Sequence, residues 1–182
     1  MLRGEIASKI RQRLQAFWAA RRAPARTRAL LRGPTPRRIL VLCYGNIYRS
    51  PFVAACLRAA LPNHVAVEVR SAGFHSVADR ASPASFVELC RCYGMDLSAH
   101  RSTVIDESVA RWADWIVIMD RRNWLDLTRL CPEVRTRIVW LGALDGAPVD
   151  IADPYGRPVA EVQKLTARLH RSATALGARL ST

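Results

Sequence analysis

A cysteine and an arginine separated by five residues, Cys43 and Arg49, constrain this chain more than any other feature, because a strand signal precedes them and a helix signal follows. The preceding run, RILVLCY, is apolar and rich in branched residues, which is typical of a strand buried on both faces. Ser50 and Pro51 then provide an N-cap and a first-turn proline for a helix over FVAACLRAAL. A loop in this position can aim its backbone N–H groups and the helix dipole at one centre, which predicts a binding site for a tetrahedral oxyanion.

The side chains of these two residues fit the same chemistry. Arg49 offers a planar, bidentate partner to phosphate oxygens. Positive surroundings stabilise a thiolate, so Cys43 is expected to be a nucleophile at neutral pH. The alternative is that Cys43 is a small apolar residue ending a buried strand and Arg49 a solvated residue at a helix start. The position of the pair between a strand and a helix favours the anion site.

Further apolar runs alternate with helical stretches along the rest of the chain. The predicted strands are 65–73, 115–120 and 137–142, and the predicted helices are 82–93, 106–112, 121–130 and 158–180. This alternation predicts an α/β fold, in which a doubly wound, four-stranded parallel sheet carries helices on both faces. Ligands of such sheets bind at the carboxyl ends of the strands, which is where the Cys43 loop lies.

The positive charge of the chain, +13, is concentrated near its N-terminus. The first 38 residues hold eleven basic side chains against the single acid Glu5, so ten of the thirteen net charges lie there. We therefore divide the chain into a basic extension with its linker, residues 1–37, and a nearly balanced domain, residues 38–182. The charge of the domain gives no reason to expect nucleic acid as a partner.

Within the extension, apolar residues recur at steps of three or four and alternate with arginines, which predicts a basic amphipathic helix. These apolar residues are Leu2, Ile6, Ile10, Leu14, Phe17 and Trp18. Pro24 is expected to end the helix, and Gly33, Pro34 and Pro36 to form a hinge. Residues 2–22 are typical of a peripheral membrane contact; an organelle transit peptide, a partner-docking arm and a solvated tail are the alternatives.

Cysteine usage favours a reducing compartment. Five cysteines, an odd number, occur in a chain long enough to fold without disulfides, and no secretory signal precedes them. We therefore expect a cytoplasmic protein, peripheral at the membrane surface if residues 2–22 bind lipid. One residue separates Cys90 from Cys92, which does not match the spacing of structural zinc ligands. We expect neither a metal nor another cofactor.

The loop CYGNIYRSP resembles the phosphate-binding loop of the low-molecular-weight protein tyrosine phosphatases, Cys-x-Gly-Asn-x-x-Arg-Ser-Pro. The resemblance continues in the family's order through SAG (71–73), GMDLSAHRS (94–102), ADWIVIMD (113–120) and DPYG (153–156). It covers residues 38–180 and leaves the N-terminal extension outside. The resemblance implies a metal-independent phosphatase that hydrolyses phosphotyrosine and other aryl phosphates through a cysteinyl-phosphate intermediate.

The resemblance also implies roles for individual residues: Cys43 attacks phosphorus, Arg49 holds the phosphoryl oxygens, and Asp153 is the general acid and then the general base. Chemistry gives a separate reason to want Asp153, since a phenolate leaves poorly unless a proton arrives with it. Taken alone, the Asp153 motif is also typical of a surface turn. The remaining implied groups are the phosphate-binding loop (Tyr44, Gly45, Asn46, Ile47, Tyr48, Ser50), its supporting network (Asn46, Ser50, Ser71, His100) and the substrate walls (Tyr155 and Ile47, opposite Phe74, His75 and Val77).

The loop departs from the family pattern at one place that bears on regulation. Tyr48 stands where many members carry a second cysteine that protects the nucleophile as a disulfide. We therefore expect oxidation of Cys43 to proceed towards irreversible acids. Ile47 keeps the branched aliphatic residue of tyrosine-directed members, whereas threonine there accompanies phosphoarginine substrates. Of the family's paired tyrosines only Tyr155 is present, followed by Gly156.

Two other functions compete with phosphotyrosine hydrolysis. An arsenate reductase uses the same loop with additional cysteines, and Cys90 and Cys92 are the candidates for that relay. A non-catalytic phosphotyrosine-binding module would keep the anion loop but would need neither Cys43 nor Asp153. For a bacterial phosphatase, the resemblance implies phosphotyrosine proteins as partners, including a tyrosine kinase of polysaccharide export.

Overall fold

A computed structural model describes residues 2–62, 66–146 and 148–181. Its sheet has four parallel strands in the order β2-β1-β3-β4, which confirms the predicted α/β fold. The strands are β1 (Arg38–Cys43), β2 (Glu68–Gly73), β3 (Trp115–Ile118) and β4 (Ile138–Trp140). Each is shorter than its predicted run. The outer residues of the runs lie in loops or, beside β4, in 3-10 helices, and residue 65, the predicted start of β2, lies outside the described residues.

Six α-helices are described, and they cover both faces of the sheet. They are α1 (Leu2–Leu31), α2 (Arg49–Ala60), α3 (Ala84–Arg91), α4 (Glu107–Trp112), α5 (Arg121–Leu130) and α6 (Val159–Leu180). Short 3-10 helices, Pro132–Arg137 and Leu141–Leu144, flank β4. None of the helices described is long and apolar enough to cross a membrane.

The central strand β1 divides its side chains between two cores. Ile39 and Val41 pack with α2, α3 and α6 on one face. Leu40 and Leu42 pack with α1, α4 and α5 on the other face. This alternation is the consequence of the two-residue period of a strand buried on both sides.

The loop after β1 lies where the two halves of the sheet meet. β1 pairs with β2 on one side and with β3 on the other. The chain connections at the carboxyl ends of these strands therefore lead to opposite sides of the sheet, and the loop after β1 lies in the crevice between them. The end of β2 approaches the loop closely at Gly73. A Cβ on Gly73 would lie 2.7 Å from the Tyr44 carbonyl oxygen and 2.9 Å from the Asn46 nitrogen, so only glycine fits there.

The N-terminal extension is a single helix that packs on the domain. α1 continues through Pro24 to Leu31, so the prediction that Pro24 ends the helix was wrong. Proline removes the hydrogen bond to the carbonyl one turn earlier, but tertiary contacts on both sides of it compensate. Ala19, Ala23 and Thr27 are buried there, and α1 contacts α5 and β4.

A hydrogen bond joins α1 to the edge of the sheet. The Thr27 hydroxyl oxygen accepts from the backbone N–H of Trp140, the last residue of β4, at 3.1 Å. β4 is one of the two outer strands of the sheet, and this N–H is buried. The side chain of Thr27 therefore takes the place of a further strand at that position.

We expect Thr27→Val to lower the free energy of unfolding by about 1–3 kcal/mol, because an isosteric side chain leaves the buried N–H of Trp140 without an acceptor. Urea unfolding followed by circular dichroism measures the change. The matched control is Thr35→Val, at an exposed position in the linker, which should change stability by less than about 0.5 kcal/mol. Equal stability of the two variants would mean that α1 is not held to β4 in solution.

Candidate active site

Hydrogen-bond donors surround the buried sulfur of Cys43. The backbone N–H of Asn46 donates to the Cys43 Sγ at 3.2 Å, and the Ser50 Oγ lies 3.1 Å from it. The Asn46 side chain donates to the Ser50 Oγ at 2.8 Å, so the Ser50 hydroxyl proton points elsewhere: the Cys43 Sγ is the nearer acceptor, and the Ala72 carbonyl oxygen lies 3.4 Å away. Two donors therefore converge on the sulfur, the arrangement that stabilises a thiolate.

Ser50 contacts the Cys43 sulfur instead of capping α2, so the prediction that it is the N-cap was wrong. α2 begins at Arg49, one residue before the expected N-cap, and no side chain caps its start. The Ser50 hydroxyl instead turns into the loop, where Cys43 and Asn46 lie within hydrogen-bonding distance. A buried hydroxyl takes the partners nearest to it, and here those belong to the loop.

Asn46 is the centre of the network that holds the loop. It adopts a left-handed backbone with φ of 51°, which asparagine tolerates better than most residues. Its side-chain nitrogen also donates to the Ser71 Oγ at 3.0 Å, and its side-chain oxygen accepts from the Thr103 N–H at 2.8 Å. Its carbonyl lies 2.8 Å from the His100 Nε2. The structure thus brings together all four predicted network residues and adds Thr103.

His100 bonds a carbonyl, so its Nε2 carries the proton and donates. Burial lowers the pKa of His100; the Asn46 carbonyl opposes this shift, and the charges of Arg58 and Arg101 add to it. The neutral imidazole is therefore favoured in the folded protein at neutral pH.

Arg49 is the most completely buried charge of the site, with a side chain only 1% exposed. Its guanidinium lies 2.5 Å from the Asp120 carboxylate and 2.6 Å from the Asp153 carboxylate, and it donates to the Ile151 carbonyl at 3.0 Å. Burial alone would lower the pKa of Arg49, but the charges of Cys43, Asp120 and Asp153 raise it above its usual value. Its Nε–H is buried without a partner among the described residues, so this donor is available for an oxyanion.

Asp120, which was not predicted from the sequence, ties Arg49 to the sheet. It follows β3, the neighbour of β1, and one of its carboxylate oxygens caps α5 by accepting from the Asn123 N–H at 2.8 Å. The other oxygen holds the Arg49 guanidinium. Its position in the sequence could have indicated this role. Asp120 is the last residue of a predicted buried strand, and the carboxyl ends of such strands are where ligands bind.

The segment that carries Asp153 reaches the site from the far end of the chain and is held from two sides. The Arg121 guanidinium pairs with Asp150 at 2.6 Å, and the Ile151 N–H donates to the Met119 carbonyl at 2.8 Å. From α6, Arg168 pairs with Asp145 at 2.8 Å and donates to the Asp150 carbonyl at 2.9 Å. These contacts fix the backbone before Asp153, whose carboxylate remains 40% exposed.

A cavity of about 410 Å³ opens above the loop and brings Cys43 and Asp153 together, whereas the buried Arg49 and the supporting network lie outside its lining. Its lining residues are Cys43, Tyr44, Gly45, Ile47, Tyr48, His75, Arg80, Arg122, Asp153 and Tyr155. Burial raises the pKa of Tyr48, with Asp153 and Tyr155 contributing, so this phenol stays neutral. Of the expected opposite wall only His75 lines the cavity; Phe74 lines a neighbouring groove, and Val77 is exposed.

Two arginines at the mouth of this cavity were not predicted. Arg80 donates to the Gly45 carbonyl at 2.5 Å, which fixes the loop from outside. The Arg122 guanidinium lies 3.8 Å from the centre of the Tyr44 ring, in a cation–π contact. Both place positive charge where the cavity meets solvent.

The remaining cysteines do not line this cavity. Burial raises the pKa of Cys56 and of Cys90 to about 12, so these thiols are poor nucleophiles. Cys90 lies in the core, whereas Cys92 is exposed at the end of α3. Within residues 2–62, 66–146 and 148–181, no three or more His, Cys, Asp and Glu residues are grouped so that they could hold a metal ion.

Comparison with known proteins agrees with this geometry. Residues 38–182 match the family model described as low molecular weight phosphotyrosine protein phosphatase. The probable low molecular weight protein-tyrosine-phosphatase EpsP of Ralstonia nicotianae is 33% identical over 137 residues, which are 75% of this chain and 91% of that protein.

Solved structures share the fold. The tyrosine phosphatase Wzb from Escherichia coli K30, in complex with sulphate, has a TM-score of 0.74 and 27% identity, covering 80% of this chain and 99% of that one. The YwlE arginine phosphatase from Geobacillus stearothermophilus has a TM-score of 0.69 and 28% identity, covering 79% and 92%.

The lowered pKa of His100 predicts a pH dependence of stability. In the unfolded chain the imidazole takes up a proton near pH 6.5, its ordinary pKa, whereas the folded protein resists protonation to lower pH. The contribution of His100 to the free energy of unfolding is therefore fully present above pH 6.5 and is lost as the pH falls below that value. The free energy of unfolding falls by no more than about 1.4 kcal/mol per pH unit for this one group.

His100→Gln keeps a donor for the Asn46 carbonyl and removes the titration. Unfolding free energies measured in urea at several pH values should therefore fall less steeply on acidification in this variant than in the wild type. Parallel pH profiles would contradict a buried, neutral His100.

Proposed function

The chain belongs to the low molecular weight protein-tyrosine-phosphatase family and is a phosphatase enzyme, and from this premise we propose that it hydrolyses phosphotyrosine through a cysteinyl-phosphate on Cys43. One observation carries the proposal: Cys43 and Asp153 line the same cavity, and the buried Arg49 guanidinium contacts the Asp153 carboxylate. A nucleophile, an anion clamp and a proton donor therefore meet at one place.

In the first step, the phosphoryl oxygens bind the loop N–H groups and Arg49, and the Cys43 thiolate attacks phosphorus. The S–P bond forms as the bond from phosphorus to the phenolic oxygen breaks. Asp153 gives its proton to that oxygen, so the tyrosine leaves as a neutral phenol. The fixed N–H groups and the guanidinium stabilise the charge on the equatorial oxygens in the transition state.

In the second step, water attacks the cysteinyl-phosphate. Asp153, now a carboxylate, takes a proton from the water, the P–S bond breaks, and inorganic phosphate leaves. The electron pair of that bond returns to the Cys43 sulfur. The Ser50 hydroxyl and the Asn46 N–H stabilise the thiolate as a leaving group, just as they stabilise it as the nucleophile.

The ion pairs of Arg49 suggest how the carboxyl of Asp153 becomes available for proton transfer. Without substrate, the guanidinium is shared between Asp120 and Asp153. A bound phosphoryl group supplies oxygens that replace the Asp153 carboxylate on Arg49, whereas Asp120 keeps the guanidinium in position. The carboxyl of Asp153 is then released towards the leaving-group oxygen, where proton transfer requires it.

The cavity walls favour an aromatic leaving group. Tyr48 and Tyr155 offer ring faces, and Ile47 provides a branched apolar contact. Arg80 and Arg122 at the mouth favour acidic residues beside the phosphotyrosine. Since an arginine phosphatase shares the fold, Ile47 and the two tyrosines, rather than the fold, carry the preference for phosphotyrosine.

A phosphotyrosine protein of the cytoplasm is accordingly the proposed partner, and a tyrosine kinase of polysaccharide export is the specific candidate. Neither competing function is supported by the site. The arsenate relay would need reactive thiols near Cys43, but Cys90 is buried and Cys92 lies outside the cavity. A module that only binds phosphotyrosine would need neither a stabilised thiolate nor Asp153.

We expect the chain to cleave para-nitrophenyl phosphate in EDTA, and Cys43→Ser to abolish turnover while phosphate and vanadate still bind. Asp153→Asn should lower kcat for phenyl phosphate by about 10²–10⁴-fold, and less for para-nitrophenyl phosphate, whose leaving group needs a proton less. Steady-state kinetics measures both.

The matched controls for this experiment are Cys92→Ser and Asp96→Asn, exposed positions that should keep wild-type kinetics. An inactive wild type that is folded would overturn the proposal. In that case, arsenate-dependent oxidation of a thiol donor would identify a reductase, and phosphotyrosine binding without turnover would identify a binding module.

We also expect hydrogen peroxide to inactivate the enzyme in a way that thiol reductants do not fully reverse. Tyr48 replaces the second loop cysteine, and the raised pKa of Cys56 and of Cys90 leaves little thiolate to form a protective disulfide. The measurement is the fraction of activity that dithiothreitol restores, and Tyr48→Cys should raise that fraction. Full recovery in the wild type would contradict the prediction.

A further inference from the structure

α1 carries its small residues towards the sheet and its large apolar residues towards solvent. The side on the sheet is formed by Ala16, Ala19, Ala23 and Thr27, which are all buried. The residues Ile6, Ile10, Leu14, Phe17 and Trp18, called here the apolar stripe, are 40–55% exposed. A surface helix that served only the core would show the opposite distribution.

The two sets lie on different sides of the helix because of their spacing. The stripe residues follow Ile6 at four, eight, eleven and twelve positions, which keeps them on one side over about 18 Å of helix. The buried residues from Ala16 to Thr27 follow each other at steps of three and four on another side. Contiguous exposed apolar surface of this kind marks a site of interaction.

Exposed cations border the apolar stripe on both sides. Helical spacing places Lys9 and Arg13 along one border and Arg11 and Arg22 along the other. Arg21 lies over the Phe17 ring, 5.6 Å from its centre. None of these five cations is ion-paired with a carboxylate in the part of the chain that the structure describes.

We propose that the apolar stripe of α1 binds the surface of an anionic lipid membrane. The large side chains enter the boundary between headgroups and acyl chains, and the bordering cations meet lipid phosphates. No acidic residue occurs from position 6 to position 67, so nothing in this part of the sequence repels an anionic surface. The same charge disfavours a second copy of the chain, because two stripes in contact would bring their cations together.

The contacts of α1 make this a rigid docking surface. The Thr27 hydroxyl accepts from β4, and Arg129 at the end of α5 donates to the side chain of Gln12. A groove between the helices is lined by Leu14 and Trp18 from α1 and Trp124 from α5. A chain bound through the stripe would therefore have one orientation on the membrane.

α5 also connects this surface to the active site. Arg122, in its first turn, lines the mouth of the cavity, and Trp124 contacts the groove beside the stripe. The ten residues of α5 span only about 15 Å. The mouth of the active-site cavity therefore lies within about that distance of α1. If the proposed phosphatase function holds, membrane binding places the site close to phosphotyrosines of membrane-attached proteins.

Sedimentation of the full-length chain with vesicles tests the proposal. We expect binding to an equal mixture of phosphatidylcholine and phosphatidylglycerol, weakening as salt rises, and none to phosphatidylcholine alone. The double variant Ile10→Ser with Leu14→Ser, which leaves charge unchanged, should bind at least about tenfold more weakly. Val159→Ser, at a 72% exposed valine on α6, is the matched control and should bind as the wild type does.

Several results would overturn the proposal. Absence of binding to the anionic vesicles removes it directly, and unchanged binding of the double variant shows adsorption by charge alone. A wild-type dimer in analytical ultracentrifugation that the double variant loses, without vesicle binding, assigns the stripe to self-association. Turnover of para-nitrophenyl phosphate by every variant, measured in parallel, separates these results from a failure of the proposed phosphatase function.

Discussion

The buried guanidinium of Arg49 is the interaction on which the site depends. A charge removed from water this completely is tolerated only when anions surround it, and Asp120 and Asp153 lie against it. These two partners come from the end of β3 and from the segment before α6, so Arg49 joins three separate parts of the chain. A phosphoryl group fits this arrangement because it can take the place of one carboxylate without leaving the guanidinium unpaired.

The sequence was sufficient to predict what local patterns determine. Apolar runs gave the parallel sheet, and the strand-loop-helix pattern around Cys43 indicated an anion site before any family was considered. Asp153 lies far from the loop in sequence, so only leaving-group chemistry and the family resemblance pointed to it. The roles of Asp120 and Arg80 were not predicted because they arise from contacts between distant segments, which the spacing of residues along one segment does not reveal.

The N-terminal extension also makes contacts that its own sequence pattern does not reveal. Periodicity predicted a helix and the correct apolar residues, but it assigned no role to the alanines that contact the domain. Small side chains allow a helix to approach a sheet closely and contribute little to an apolar periodicity. The proline signal failed for a related reason, since packing of Ala19, Ala23 and Thr27 on either side of Pro24 outweighs a lost backbone hydrogen bond.

The hydrogen bond from the Trp140 N–H to Thr27 has a consequence for how the molecule behaves in a crowded solution. A free outer strand is a template on which another chain can add a strand, the first step of β-type aggregation. α1 lies against β4 and occupies a donor that such a strand would use. Removing α1 from the chain would thus expose the edge of β4 to strand addition by other chains. A truncated enzyme that aggregates in this way would show a loss of activity that has nothing to do with its active site.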